Sequence, residues 1–343
     1  MIKIIIFILI LCFTPITLLF GPSTMNVDAK QPTTNPITVK LTASQVGPLE
    51  NDNVDLGVSN IKYLGTLLLY SPHPAFGGFS DLLISNDRKS LLAVTDMGFW
   101  MKADIKYSPS GFLRTVSEKA QLGQLCDTNG NTYSIKYNAD AEGLSRAPGG
   151  GYLVSFERIH RINLFKNKNL SLAGKPTNFT APKKIKDLPD NSGIESMLLL
   201  PNKDLLIISE GDSKSGPLSY ASILKKKKWT EYMYQRSQDY RPTSAANLPA
   251  NEVLILERRY KGPGTLGIRF RKFNSNEIKA DQNVRPELVF ELPSILPLDN
   301  YEGVDTITTE DGKTFIYIIS DDNFSPLQHT LLTLFELNPD RQN

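Results

Sequence analysis

Carboxylates recur along this chain in pairs. Asp81 and Asp96, Glu142 and Glu157, and Glu195 and Glu210 each stand 15 residues apart. Glu302 and Asp321 are 19 apart, and Ser244 leads to Glu257 at a spacing of 13. Each pair encloses a short apolar segment, a turn and a second apolar segment. Gathered at one place, these acids and Asp322 raise one another's pKa values, because each negative charge makes the next harder to form. A cation resolves that conflict. Calcium, with about six to eight oxygen ligands in a flexible shell, suits donors drawn from several parts of a chain. The spacing therefore predicts one or more calcium ions among Asp81, Asp96, Glu195, Glu210, Glu257 and Asp322, with Glu142, Glu157, Glu302 and Asp321 at the same place. The competing reading is architectural. Acids after strands accept backbone hydrogen bonds or pair with a nearby base, and Arg158 follows Glu157 as Arg258 follows Glu257.

Such pairs need elements that bring their members together. The five midpoints fall in Asn86-Asp87-Arg88-Lys89, Pro148-Gly149-Gly150-Gly151, Pro201-Asn202-Lys203-Asp204, Pro249-Ala250-Asn251-Glu252 and Glu310-Asp311-Gly312-Lys313, all turn-forming segments. Positions symmetric about a hairpin turn face each other in an antiparallel pair, so each acid meets its partner at the hairpin's open end. The flanking runs, such as Leu205-Leu206-Ile207-Ile208 and Val253-Leu254-Ile255-Leu256, are short, apolar and bounded by turn residues, as buried strands are. No run shows helical spacing, and Lys225 to Lys228 reads as a solvated loop or strand tip.

The leading residues of the hairpins recur at intervals of 61, 53, 49 and 58, which leaves room for two further strands per unit. Four-stranded units repeated around an axis make a β-propeller. The expected fold is therefore all-β: a propeller with five marked blades, and room for a sixth between Arg259 and Leu298. Its ring closes where an N-terminal strand at Ile61 to Leu69 completes the blade that ends with Leu331 to Leu337. A pair of β-sandwiches is the alternative, but it gives no reason for five similar hairpins.

Composition excludes several classes. The 343 residues carry 38 basic and 36 acidic side chains, a net charge of +2, without the strongly basic footprint of a nucleic-acid binder. Met1-Ile2-Lys3, the apolar run from Ile4 and Val27-Asp28-Ala29 read as a signal peptide over residues 1–29 cleaved after Ala29. The expectation is an exported, secreted or periplasmic, monomeric protein with a lead-in at 30–55 and a propeller at 56–338. No later segment is apolar enough to span a membrane. Loss of the leader removes Cys12 and leaves Cys126 as a lone, inert thiol.

Other motifs fail on context. Gly262-Pro263-Gly264-Thr265-Leu266-Gly267 precedes a strand-like alternation rather than a helix, so it offers no pyrophosphate site. Asp127-Thr128-Asn129-Gly130-Asn131 begins like a calcium loop but reads better as a hairpin turn. There is no GxSxG, HExxH or CxxC.

Several segments carry a family resemblance. Asp140-Ala141-Glu142-Gly143-Leu144, Ser209-Glu210, Leu256-Glu257-Arg258, Tyr301-Glu302-Gly303-Val304 and Ser320-Asp321-Asp322-Asn323-Phe324-Ser325 resemble the phytase-like family, often named "esterase-like activity of phytase". The closing Thr330-Leu331-Leu332-Thr333-Leu334-Phe335-Glu336-Leu337 strengthens the match, which runs from about Leu56 to Leu337. Ser80-Asp81-Leu82 and Thr243-Ser244-Ala245 depart from the Glu-Gly pattern. The resemblance implies a propeller that hydrolyses phosphate or carboxylic esters, and it names no catalytic residue. For calcium-assisted phosphoester hydrolysis of a small molecule, Glu142, Glu157, Glu302 and Asp321 are the candidates for ligand or base, and Arg158 and Arg258 for holding phosphate oxygens. The alternative is a non-catalytic propeller that binds a carbohydrate, peptide or protein. The carboxylate-rich hairpin ends favour the enzyme, while the scarcity of histidine and the absence of a recognised catalytic motif favour the binder.

Overall fold

The computed structural model describes residues 35–338, apart from 53, 168, 212–215, 238 and 263. The expected leader, its expected cleavage point and Cys12 lie outside the described residues. Among the described residues five sheets form, and their innermost strands touch in a closed ring: Phe79–Ile84, Ala141–Arg146, Ile194–Leu199, Arg241–Asn247 and Asn300–Thr308. The molecule is a five-bladed β-propeller. The stretch from Arg259 to Leu298, where a sixth blade had room, instead supplies Gly267–Asn274 and Glu287–Glu291 to blade four and Asn283–Val284 to the edge of blade three.

Two-sided burial explains the unbroken apolar runs. In the second strand of blade three, Leu205 and Ile207 pack with Leu153 of blade two, while Leu206 and Ile208 pack with Ile255 of blade four. In blade five, Tyr317 and Ile319 face blade one, and Ile316 and Ile318 face blade four. A strand wedged between two neighbours shows no polar face, so strict alternation disappears. There are five such apolar clusters, one for each interface between adjacent blades. Fully burying each Leu or Ile contributes about 1.5–3 kcal/mol.

The ring closes as expected. Ile61–Tyr70 pairs antiparallel with Thr330–Leu337, with Leu69 opposite Thr330 and Ile61 opposite Leu337. The lead-in adds a second tie. Thr42–Val46 extends blade five beside Ile61–Tyr70, while Ile37–Lys40 extends blade one beside Lys119–Gln124, and buried Leu41 joins them. One ten-residue stretch, 37–46, thus spans the seam between first and last blades.

The rejected motifs take the forms their context suggested. Asp127 caps its own turn by accepting from the backbone N–H groups of Asn129 and Asn131. Gly262 opens a turn closed by Thr265, and the strand Gly267–Asn274 follows. Cys126 is buried, and its thiol donates to the Gly174 carbonyl at 3.1 Å. No helix of the described residues is long and apolar enough to cross a membrane.

Candidate functional site

The innermost hairpin of every blade slips register by one residue near its open end. A bulge of this kind inserts an unpaired residue and re-aims its side chain. The extra residues are Ser80, Glu142, Glu195, Thr243 and Glu302, one per blade. A second set follows the last residue paired across each bulge: Asp96, Glu157, Glu210, Arg258 and Asp321. The N–H groups of Asp96, Glu157 and Glu210 donate to the carbonyls of Gly78, Asp140 and Gly193, and Asp321 and Arg258 pair with Asn300 and Arg241 at the corresponding places. Fivefold repetition of one bulge therefore builds one mouth, to which each blade contributes one residue of each set.

Blades one and two make its most acidic sector. Asp140, Glu142 and Glu157 each present a carboxylate oxygen within 4.8 Å of the others, a spacing able to hold a metal ion. Asp140 is 1% exposed. Its Oδ2 accepts from Arg158 Nε, while its Oδ1 is buried with no hydrogen bond. Asp96 repeats the pattern: Lys136 Nζ reaches its Oδ2, and its buried Oδ1 has no hydrogen bond. The lysine also lies 3.7 Å from Asp140 Oδ1. Lys136 comes from a one-turn helix, Lys136–Ala139, in a chain whose pattern predicted none. Gly78 lets the first blade approach this closely, since a Cβ there, at φ +66°, would stand 2.2 Å from Asp96 Oδ1.

Burial and mutual repulsion dominate the electrostatics. Burial first, then the charge of Glu195, pushes Glu142 well above the usual carboxylate range; burial and Glu210 do the same to Glu195. Glu157 rises to about 7 through burial and Asp140, against a hydrogen bond from the Gly193 N–H. Burial takes Glu302 to about 7 despite Arg258, and burial with Asp96 takes Asp321 to about 8. Asp96 and Glu210 are also raised by burial, with Lys136 and Arg241 opposing. These groups resist ionising together. A cation among them removes the penalty, and the two buried oxygens that accept no hydrogen bond, Asp96 Oδ1 and Asp140 Oδ1, are donors already out of water.

Blades three and four make a basic sector. Arg258 lies 3.1 Å from Glu302, and Arg241 lies 3.2 Å from Glu210. Burial opposes the Arg258 charge, but Glu302, Glu210 and Glu195 outweigh it and hold the guanidinium protonated. A cavity of about 590 Å³ opens here, lined by Glu210, Arg236, Arg241, Arg258, Tyr260 and Lys261. Exposed Met97, Ile159, Tyr260 and Phe324 on loops, and Tyr137 on the one-turn helix, stand around the same mouth.

Of the residues singled out by spacing, Asp96, Glu142, Glu157, Glu195, Glu210, Glu302 and Asp321 come together in this ring, with Arg158 and Arg258 among them. Asp322 stands beside it but spends its oxygens on the Gly78 and Phe324 N–H groups and the Thr330 hydroxyl, clasping blade five to blade one. Asp81 sits one residue past the bulge and points into the channel, where Leu82 N–H, Leu144 N–H and the Ser244 hydroxyl donate to it. Glu257 sits one residue before its blade's outer position. It is fully buried against Arg269, Arg271 and Tyr234. Sequence reasoning missed Asp140, Lys136, Arg236 and Arg241. Only Asp140 carried a signal, two residues before Glu142 in a motif already noted.

Comparison with known proteins agrees with this architecture. The family described as "Phytase-like: Esterase-like activity of phytase" matches residues 74–324. No curated protein matches the chain. Among solved structures, a protein of unknown function from Dyadobacter fermentans DSM 18053 is 14% identical with a TM-score of 0.43, over 90% of this chain and 97% of its own. An endo-arabinase from Bacteroides thetaiotaomicron VPI-5482 is 12% identical with a TM-score of 0.47, over 76% and 94%. An α-L-arabinofuranosidase from Podospora anserina is 11% identical with a TM-score of 0.42, over 90% and 99%. With TM-scores below 0.5, these likenesses carry no argument about this chain.

Proposed function

The chain belongs to the phytase-like family, and from that premise we propose that it is an exported ester hydrolase that acts on phosphate esters with the help of a bound calcium ion. The observation that carries this reading is the pairing of the Asp140–Glu142–Glu157 cluster, whose Asp140 Oδ1 accepts no hydrogen bond and has Lys136 Nζ at 3.7 Å, and the arginine-lined cavity of the same mouth. One sector suits a cation and the other suits an anion, which is what a metal-bound phosphate group needs. The aromatic and apolar rim gives the organic half of an ester a surface to rest on.

When bound, a divalent cation supplies neutralisation of phosphate charge and a more acidic water. Asp140, Glu142 and Glu157 would hold it. Arg258 and Arg241 orient phosphate oxygens through charge-assisted hydrogen bonds. Glu302, with a carboxyl group near 7, exchanges a proton readily at neutral pH and suits the part of general base.

Calorimetric titration of calcium into wild type and Asp140→Asn tests the cation. Turnover of p-nitrophenyl phosphate, bis(p-nitrophenyl) phosphate, inositol hexakisphosphate and p-nitrophenyl acetate tests the chemistry. Calcium binding that Asp140→Asn abolishes, with phosphoester turnover, supports the proposal. Binding without turnover of any ester would assign the ion a structural part in a non-catalytic binding propeller.

A further inference from the structure

The lysine run Lys225 to Lys228 takes no part in the mouth, and its position gives it another use. Leu218–Lys225 starts beside Glu210 at the mouth and runs away from it, so that Leu224 faces Leu205 at the far end of blade three. The next strand, Lys228–Gln235, turns back with Lys225 opposite Lys228. Lys226 and Lys227 form the turn itself, both at positive φ, and Lys226, Lys227 and Lys228 are exposed. The tip therefore projects from the face opposite the carboxylates.

More lysines flank it. The short helix Lys183–Asp187 carries exposed Lys183, Lys184 and Lys186. It is fastened beside the hairpin by Lys184 Nζ, 3.6 Å from Glu231, and the preceding Thr180 carbonyl accepts from Trp229 Nε1 at 3.0 Å. Glu231 follows Lys228 by three residues, so the two lysine groups lie roughly 10 Å apart along the strand. Asp187 and Glu231 are the acids within these segments, and Glu231 is paired with Lys184. Asp204 in the neighbouring turn of the same blade and Asp281, whose N–H donates to the Glu231 carbonyl, stand nearby, but seven lysines gather at this lower edge of blade three.

We propose that this lysine-rich edge docks the protein electrostatically onto an anionic lipid bilayer, with the acidic mouth turned away from the surface. The lysines occupy a projecting turn and a helix flank, which several charges can bring to a plane at once. Trp229, the aromatic residue beside them, is half-buried with its Nε1 tied to the Thr180 carbonyl, so it is not free to stack on a nucleic-acid base. Each lysine at an anionic surface is worth roughly fivefold in partitioning, and the attraction is screened by salt.

The experiment is co-sedimentation of the purified protein with vesicles of phosphatidylcholine alone and of phosphatidylcholine with phosphatidylglycerol, in chelator, at low and at raised sodium chloride. Wild type is compared with Lys225→Gln/Lys226→Gln/Lys227→Gln/Lys228→Gln, whose melting temperature is checked to be unchanged, and with Lys183→Gln/Lys184→Gln/Lys186→Gln as an independent second variant. The expected result is binding to the phosphatidylglycerol vesicles only, lost at raised salt, and weakened at least tenfold in either variant. No binding of wild type, or equal binding by both variants, overturns the proposal. Retention on heparin without vesicle binding overturns it too, because the ligand would then be a soluble polyanion.

Discussion

Arg258 holds in blade four the place that Glu157 holds in blade two. Each follows the last residue paired across its hairpin's bulge, and Glu195 lies under the influence of both: Glu157 opposes its ionisation and Arg258 favours it. One substitution of type at one repeated position thus turns part of an acidic ring into a place for an anion.

Replacing that arginine separates the two sectors. Arg258→Gln removes a charged donor from the cavity, an interaction worth about 1.5–3 kcal/mol. Phosphoester kcat/KM should fall roughly 10- to 100-fold, while calcium still binds, since Asp140, Glu142 and Glu157 remain. Steady-state kinetics beside calorimetry on one preparation check it. A loss of calcium binding with unaltered kinetics contradicts the two-sector mouth.

The raised carboxyl groups set a pH dependence with a definite sign. Glu157 and Glu302 sit at about 7 and Asp321 at about 8 in the folded chain, above the values they take when unfolded. Between those limits the folded state binds more protons than the unfolded one, so stability falls as pH rises. In chelator the melting temperature should decline from about pH 5 to about pH 8. Added calcium should flatten that decline, because it stabilises the ionised forms. Scanning fluorimetry across this range, with and without calcium, makes the comparison. A melting temperature that climbs with pH in chelator would count against the site.

Glu257 and Glu142 are both acids of the hairpin ends, and they should respond oppositely to neutralisation. Glu257 compensates two buried arginines, so Glu257→Ala strands them and should cost about 3–5 kcal/mol. Glu142 is surrounded by like charges, so Glu142→Gln should raise the melting temperature of the calcium-free protein while weakening calcium binding. Chemical denaturation of the two variants separates an architectural acid from a ligand.

Gly78 should accept no side chain. Its positive φ and its closeness to the Asp96 carboxylate mean that Gly78→Ala must displace either the loop or the acid. Lower stability and weaker calcium binding should appear together, whereas Gly111→Ala, which meets no neighbour, should show only the cost of its own positive φ.

Cys126 should be silent in the native protein. Burial raises its thiol pKa, and the thiol already donates to a carbonyl, so a disulfide reagent should label it slowly until denaturant is added. Fast native labelling would place this thiol at the surface.

Much of this architecture was legible because burial between blades leaves apolar runs with turn residues at both ends. Leu205 to Ile208 and Val253 to Leu256 show their strands without any periodicity. The register at the mouth was less visible. A bulge adds a residue without changing composition, so an acid one step away looks equivalent. Asp81 and Glu257 drew the eye in blades one and four, whereas the aligned residues are Ser80 and the pair Thr243 and Arg258. Thr243 to Arg258 spans the same 15 residues as the pairs of blades two and three. Matching on spacing before acidity would have put Arg258, already singled out for phosphate, in the repeated position that was given to Glu257. Lys136 and Arg241 left no such trace, because their place depends on how a one-turn helix and a neighbouring strand happen to meet the ring.

The seam between Ile61–Tyr70 and Thr330–Leu337 gives the chain a chronology. Synthesis delivers the first of these strands early, together with its neighbour Thr42–Val46, and the second only after every other blade has appeared. Until then the early hairpin has an unfilled edge, of the sort that recruits strands from other molecules. Successive blades can form on their own schedule, but the circle has one last moment, and it belongs to the final described strand. A chain stopped short of Thr330 would hold four blades and a waiting edge, so truncation from the C-terminus should yield aggregates rather than a smaller propeller.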